Sequence, residues 1–130
     1  VSFLLTGDIE KQTEARLLSR ELLAGVEVVK VPHHGSNTSS IQGFVDKLDP
    51  LVAIAGAGTD NRFGFPHASV RRRYLTRGTR LWWTGEHGAL RVCTEGWTLG
   101  VRTAPDRGVG RELAAWSAEE IRSRGDANGL

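Results

Sequence analysis

The sequence predicts an α/β domain, and three observations carry that prediction. Short runs rich in valine, leucine and isoleucine alternate with stretches whose apolar residues recur at three- and four-residue steps. Most of these runs end in a break rich in Gly, Ser, Asn, Asp or Pro. The last three runs follow one another with no helical stretch between them, so the predicted order is β-α-β-α-β-α-β-β-β. A chain of 130 residues accommodates one domain with a modest core.

Val1–Thr6 reads as the first strand, closed by a Gly7-Asp8 turn. From Glu10 to Leu23 the positions Ala15, Leu18, Leu22 and Leu23 mark the inner face of a helix, with Glu10, Lys11, Glu14, Arg20 and Glu21 outward. Ala24-Gly25 supplies its stop. Val26–Val31 is the second strand, bounded by Pro32, and Ser39 or Ser40 is positioned to cap a helix with Ile41, Phe44, Val45 and Leu48 inward. Asp49-Pro50 ends that helix, because the residue before proline is pushed out of the helical region.

Leu51–Ala55 is the third strand, followed by a Gly56–Asn61 loop. After Pro66 comes a basic helix with Val70, Tyr74 and Leu75 inward and Arg71–Arg73 outward, closed by Gly78. Thr79–Trp83, Ala89–Thr94 and Trp97–Arg102 are the remaining strands, with Thr84–Gly88 a hairpin-like turn and Glu95-Gly96 a tight one. Residues 103–130 read as a polar tail, with a linker over Ala104–Gly110 and a short helix near 111–122 around Leu113, Trp116 and Ile121.

Composition limits the function classes. Seventeen basic residues stand against fifteen acidic ones, so the net charge is +2 and speaks only weakly for an anionic partner. No apolar run approaches the roughly 18 residues of a membrane span. The single cysteine, Cys93, excludes an internal disulfide and reads as a small buried hydrophobe. The chain has no methionine and opens inside an apolar run, which is the expectation for the carboxyl-terminal part of a longer protein.

Chemistry concentrates at the predicted strand ends, where open α/β sheets place ligands. Asp8 ends the first strand, and its two carboxylate oxygens can bridge two cations or cap the helix that begins near Glu10. His33 and His34 end the second strand beside Gly35, as metal ligands or as hydrogen-bonded loop residues. Neighbours on extended backbone point apart, so one is the direct ligand and the other orients it or faces substrate. His67 follows the third strand's loop, where it can donate a proton, bind a phosphate oxygen or simply start a helix. The Arg71–Arg73 run is a solvated helix face or an electrostatic contact for a phosphate backbone.

Three strings, Leu4–Asp8, Lys30–Ser40 and Asn61–Gly64 with Pro66-His67, occur in this order. Together they resemble the metallo-β-lactamase-like domain at the carboxyl terminus of ComEC-type competence proteins, which take up DNA across bacterial membranes. The closing Trp83-Thr84 and Gly88-Ala89 fit the same pattern, so the resemblance covers about residues 1–102. It implies half of an αββα metallo-β-lactamase-like sandwich and a parent acting as a metal-dependent nuclease, with DNA and a membrane-channel portion as partners. It places the parent in the bacterial cell membrane with this domain extracytoplasmic. The implied metal ligands are Asp8 and His34, with His33 also at the metal or beside it. The implied substrate contacts are Ser36, Asn37 and Asn61, and His67 is the implied catalytic residue at the phosphate.

The implied cofactor is a divalent transition metal, zinc or manganese, with two ions in a complete domain. The sequence departs from the family in lacking a His-x-His-x-Asp-His motif, in having Phe65 where histidine is usual, and in having Ala68 where proline is usual. The first departure implies that this chain alone is inactive. A stand-alone metallo-hydrolase and a non-catalytic domain that binds DNA or braces a channel are the competing readings.

Overall fold

A computed structural model of the chain describes residues 1–104 and 110–127. Ser2–Glu86 forms one compact unit, and Val1 with the residues from His87 onward forms a second. The first unit is a four-stranded parallel sheet in the order β1 (Phe3–Leu5), β2 (Val28–Lys30), β3 (Val52–Ala55), β4 (Arg80–Trp83). Its connections carry helices α1 (Lys11–Ser19), α2 (Gln42–Leu48) and α3 (Ala68–Thr76). Leu4, Val29, Ala53 and Leu81 stand in one register row across the four strands. With Val31 and Ala55 they meet Leu18 of α1, Phe44, Val45 and Leu48 of α2, and Val70 and Tyr74 of α3 in one core. Right-handed crossovers between sequential parallel strands put all three helices on one face, and this core is the result. Phe44, Val45 and Leu48 are buried to 1% exposure or less, each contributing about 1.5–3 kcal/mol of burial.

Several helix ends differ from the sequence expectation. Helix α1 stops at Ser19 because Glu21, at φ 53°, donates to the Leu18 carbonyl while Leu22 donates to the Leu17 carbonyl. This left-handed cap needs no glycine, so Leu22 falls outside the helix and is exposed. Helix α3 ends the same way on Gly78, as expected. At the start of α2, neither Ser39 nor Ser40 caps. Ser39 Oγ donates to the Pro32 and Ser36 carbonyls, and Ile41 is the residue preceding the helix.

The N–H groups of Ser40 and Ile41 go instead to the carboxylate of Glu14, at 2.6 and 2.8 Å. Glu14, read as an outward residue, is fully buried. Arg73, also read as outward, donates to the Ser39 and Ser40 carbonyls, while Leu75, read as inward, is exposed. A helix face defined by period alone cannot register that a charged residue has a buried backbone to satisfy.

The second unit contains an antiparallel sheet of β5 (Leu90–Thr94), β6 (Leu99–Thr103) and β7 (Glu112–Trp116). Residues Thr84–His87 make a short helical turn, α4, rather than a hairpin, because β4 and β5 belong to different sheets. The helix read over 111–122 divides: Glu112–Trp116 pairs with β6, held by an Arg102–Glu112 ion pair of 3.2 Å, and α5 runs Ala118–Ala127. Five residues with a helix-like spacing join the sheet because an open strand edge offers them backbone partners. Cys93 is exposed rather than buried, since alternation along β5 turns it away from the more buried Val92. The linker read over Ala104–Gly110 lies almost wholly outside the described residues. No helix among the described residues is long and apolar enough to cross a membrane.

Candidate functional site

Parallel strands in sequential order bring every carboxyl end of the sheet to one edge, and the loops there carry the candidate residues. The ends of β1 and β2 are tied together. Thr6 is buried and its hydroxyl donates to the Lys30 carbonyl at 2.7 Å, while the His33 N–H donates to the Gly7 carbonyl at 3.1 Å. Thr6-Gly7-Asp8 is thereby fixed beside His33-His34. Both histidines adopt left-handed backbone, at φ 45° and 56°, followed by Gly35 at φ 89°. The two histidines hold a conformation that L side chains resist, a form of strain that clusters at functional sites, and Gly35 completes the tight reversal without it.

That reversal aims the two imidazoles at different partners around one cleft of about 490 Å³. His34 Nδ1 is 2.5 Å from the Gly56 carbonyl, which can only accept, so Nδ1 carries a proton, and in the neutral ring Nε2 keeps its lone pair. Nε2 lies 3.6 Å from Oδ1 of Asp8. His33 Nδ1 instead meets Oε1 of Glu10 at 3.1 Å, and the same oxygen accepts from the Thr38 hydroxyl at 2.8 Å. Thr38 Oγ1 lies in turn 2.9 Å from Ser36 Oγ. Asp8 does not cap α1, whose flanking residue is Glu10 with no side-chain cap.

The remaining candidates differ in where they stand relative to this cleft. Asn61 donates to the Gly58 and Phe65 carbonyls at 2.7 and 2.8 Å and accepts from Phe65 N–H at 2.7 Å, so its amide holds the loop shut. Gly85 closes on the same loop, where a Cβ would stand 2.7 Å from Gly58 C and from Thr59 N. Ser36 and Asn61 line the cleft; exposed Asn37 does not. His67 precedes α3 and accepts from Ser69 N–H at 3.3 Å through Nδ1, which also lies 2.8 Å from Ser69 Oγ. It is outside the cleft lining, although its N–H donates to the Gly35 carbonyl at 2.8 Å.

Reading the residues alone passed over Glu10, Thr38 and the Gly56 carbonyl. Glu10 had one local signal: it is a second carboxylate two positions after Asp8, in the same short connection between β1 and α1. Chemically, the arrangement offers one anionic oxygen and one imidazole lone pair at a spacing that can share an ion. Beside them stands a histidine with a carboxylate on its other nitrogen. Among the described residues no group of three or more His, Cys, Asp and Glu side chains is arranged to hold a metal ion.

Fold and site together define an α/β domain with a cleft, lined by carboxylates and histidines among other residues, beyond the carboxyl ends of a parallel sheet. The chain is 34% identical over 90 residues to ComE operon protein 3 of Bacillus subtilis, a match covering 69% of this chain and 12% of that protein. It is 37% identical over 91 residues to Recombination protein 2 of Haemophilus influenzae, covering 70% of this chain and 11% of the relative. It is 34% identical over 92 residues to Competence protein ComA of Neisseria gonorrhoeae, covering 68% of this chain and 13% of the relative. Its homologues are thus competence-type proteins, of whose length the matched stretch is about an eighth. No family model and no solved structure matches the chain.

Proposed function

We propose that this chain is the carboxyl-terminal part of a metallo-β-lactamase-like domain in a membrane protein of DNA uptake, and that its cleft serves metal-dependent hydrolysis of DNA phosphodiesters. The observation that carries the reading is the Asp8–His34 pair. Two donors on one tetrahedral ion, each roughly 2.0–2.1 Å away, are about 3.4 Å apart; Oδ1 and Nε2 are separated by 3.6 Å. The bond from His34 Nδ1 to the Gly56 carbonyl is the outer contact a ligating histidine usually makes, fixing both tautomer and ring plane. The names of the competence and recombination relatives support DNA as the substrate.

In this reading Asp8 and His34 hold a divalent transition-metal ion, zinc or manganese, and the other ligands of a two-ion centre come from outside this chain. The bound ion supplies Lewis acidity and an activated water. His33, oriented by Glu10, faces the substrate, and Ser36 sits at its edge through Thr38. His67 keeps Nε2 for a phosphate oxygen while Nδ1 serves the helix cap. The finer architecture, half of an αββα sandwich, goes with the same proposal: sheet β1–β4 and helices α1–α3 supply one inner sheet and one outer helical layer. The parent is then a cell-membrane protein with this domain outside the cytoplasm.

The test uses the protein that carries this chain. Asp8→Ala lowers both its bound transition metal, read by elemental analysis, and its cleavage of a labelled oligonucleotide. Unchanged metal content in that variant rules the site out. DNA binding with no cleavage by the unaltered protein favours the binding-module reading instead.

A further inference from the structure

The loop between β3 and α3 carries an aromatic stack that the proposed chemistry does not use. Phe63 and Phe65 both line the cleft of Asp8 and the histidines. Their rings stack with centroids 5.4 Å apart and 22° between planes. Phe65 meets the His33 imidazole edge-on at 6.1 Å. The Arg62 guanidinium carbon lies 4.8 Å from the Phe63 ring centroid. The series Arg62, Phe63, Phe65, His33 therefore runs from solvent to the imidazole pair.

Phe63 is 60% exposed on a loop that is otherwise closed by the three hydrogen bonds of Asn61. The ring already meets Phe65 and the Arg62 guanidinium, so what its exposure leaves to another molecule is the outer surface of the Arg62–Phe63 pair. Arg62 indicates which molecule. Among the described residues it has no carboxylate partner, and a cation lying on an aromatic ring suits a ligand that is aromatic and anionic in adjacent parts. An apolar peptide side chain matches the ring but leaves the charge unused.

We propose that Phe63 with Arg62 is a stacking platform for a nucleobase of single-stranded DNA. This rests on the phosphodiester reading of the cleft and adds the contact on the base side. Every base has a π-face, so such a platform is tolerant of sequence. In duplex DNA that face is covered by neighbouring base pairs, and the platform therefore selects unpaired strands. Arg62 supplies positive charge beside the base, where the next phosphate lies.

The experiment measures fluorescence anisotropy of the full chain with two labelled probes of about twelve nucleotides, oligothymidylate and an abasic phosphodiester of equal length. A chelator is present so that no cleavage enters. The unaltered chain is expected to bind the thymidine probe about 5- to 150-fold more tightly, the range that one stacked base supplies. Phe63→Ala should abolish this preference, and Phe63→Trp should retain it. Equal affinity of the unaltered chain for both probes overturns the platform, as does a preference that survives Phe63→Ala or no binding of either probe. Cleavage is read separately: hydrolysis that survives Asp8→Ala in the parent sinks the assignment of hydrolysis to this cleft, while the probe ratio still decides the platform.

Discussion

Gly35 and Pro66 lie so close that no side chain fits between them. A Cβ on Gly35 would come within 2.5 Å of Pro66 Cβ and 2.8 Å of Pro66 Cα. Together with the bond from His67 N–H to the Gly35 carbonyl, this contact docks the Pro66-His67 segment onto the paired-histidine turn. Two strings about thirty residues apart in the sequence are thereby parts of one local structure. Gly35→Ala is expected to lose at least about 2 kcal/mol of stability, from left-handed strain at φ 89° and from overpacking against Pro66. Urea unfolding reads it, and a variant as stable as the parent would mean that the two segments are not in fixed contact.

The proposed ligand assignment separates the neighbouring histidines. Losing an outer partner of a metal site costs roughly 10–100-fold in affinity, so His34→Ala, which removes a direct ligand, should deplete metal at least that far in the complete protein. His33→Ala should leave the metal in place and reduce cleavage. Elemental analysis of the two purified variants decides, and the reverse pattern would exchange their roles.

Glu14 is expected to couple loop geometry to pH. Burial pushes its carboxyl above the ordinary value of 4.5, against the lowering effect of the Ile41 and Ser40 N–H bonds and of Arg73. Tyr74, also buried and bonded to Ser40, is the other titratable group facing it. The folded state therefore holds the Glu14 proton more tightly than the unfolded chain does. Stability from this source is complete below pH 4.5 and declines as pH rises through the raised value. Glu14→Ala leaves the Ser40 and Ile41 donors unpaired, costing about 1–3 kcal/mol for each. The gap between parent and variant should narrow with rising pH in unfolding curves taken across that window; a constant gap would show that Glu14 does not titrate there.

Asn61→Ala should open the β3–α3 loop without unfolding the core. It removes three hydrogen bonds of 2.7–2.8 Å, each worth about 0.5–1.5 kcal/mol net. Amide exchange at Phe65, whose N–H donates to Asn61 Oδ1, should accelerate, while exchange at Val29 and Ala53 in the central strands stays slow. Unchanged Phe65 protection would mean that the loop is held by other contacts.

The strand–helix alternation was legible because it is written locally, in apolar period and in the Gly, Pro and Asp residues that end each run. Asp8 and His33-His34 were legible as strand-end residues for the same reason. The stop at Gly78 was too, since glycine at a left-handed cap is a local preference; Glu21 in the same conformation was not, because its side chain gives no sign of it.

By itself, then, the sequence determined an α/β chain whose carboxylate and paired histidines stand at the ends of its first two strands. The tertiary structure decided what those groups touch. The Gly56 carbonyl selects His34's tautomer from 22 residues away, Glu10 takes His33 across 23, and Glu14 reaches Ser40 across 26. Periodicity reports which face of an element is apolar, whereas a hydrogen bond depends on where two distant backbones arrive. Parallel pairing brought those backbones to one edge of the sheet, and the paired donors around the cleft exist only there.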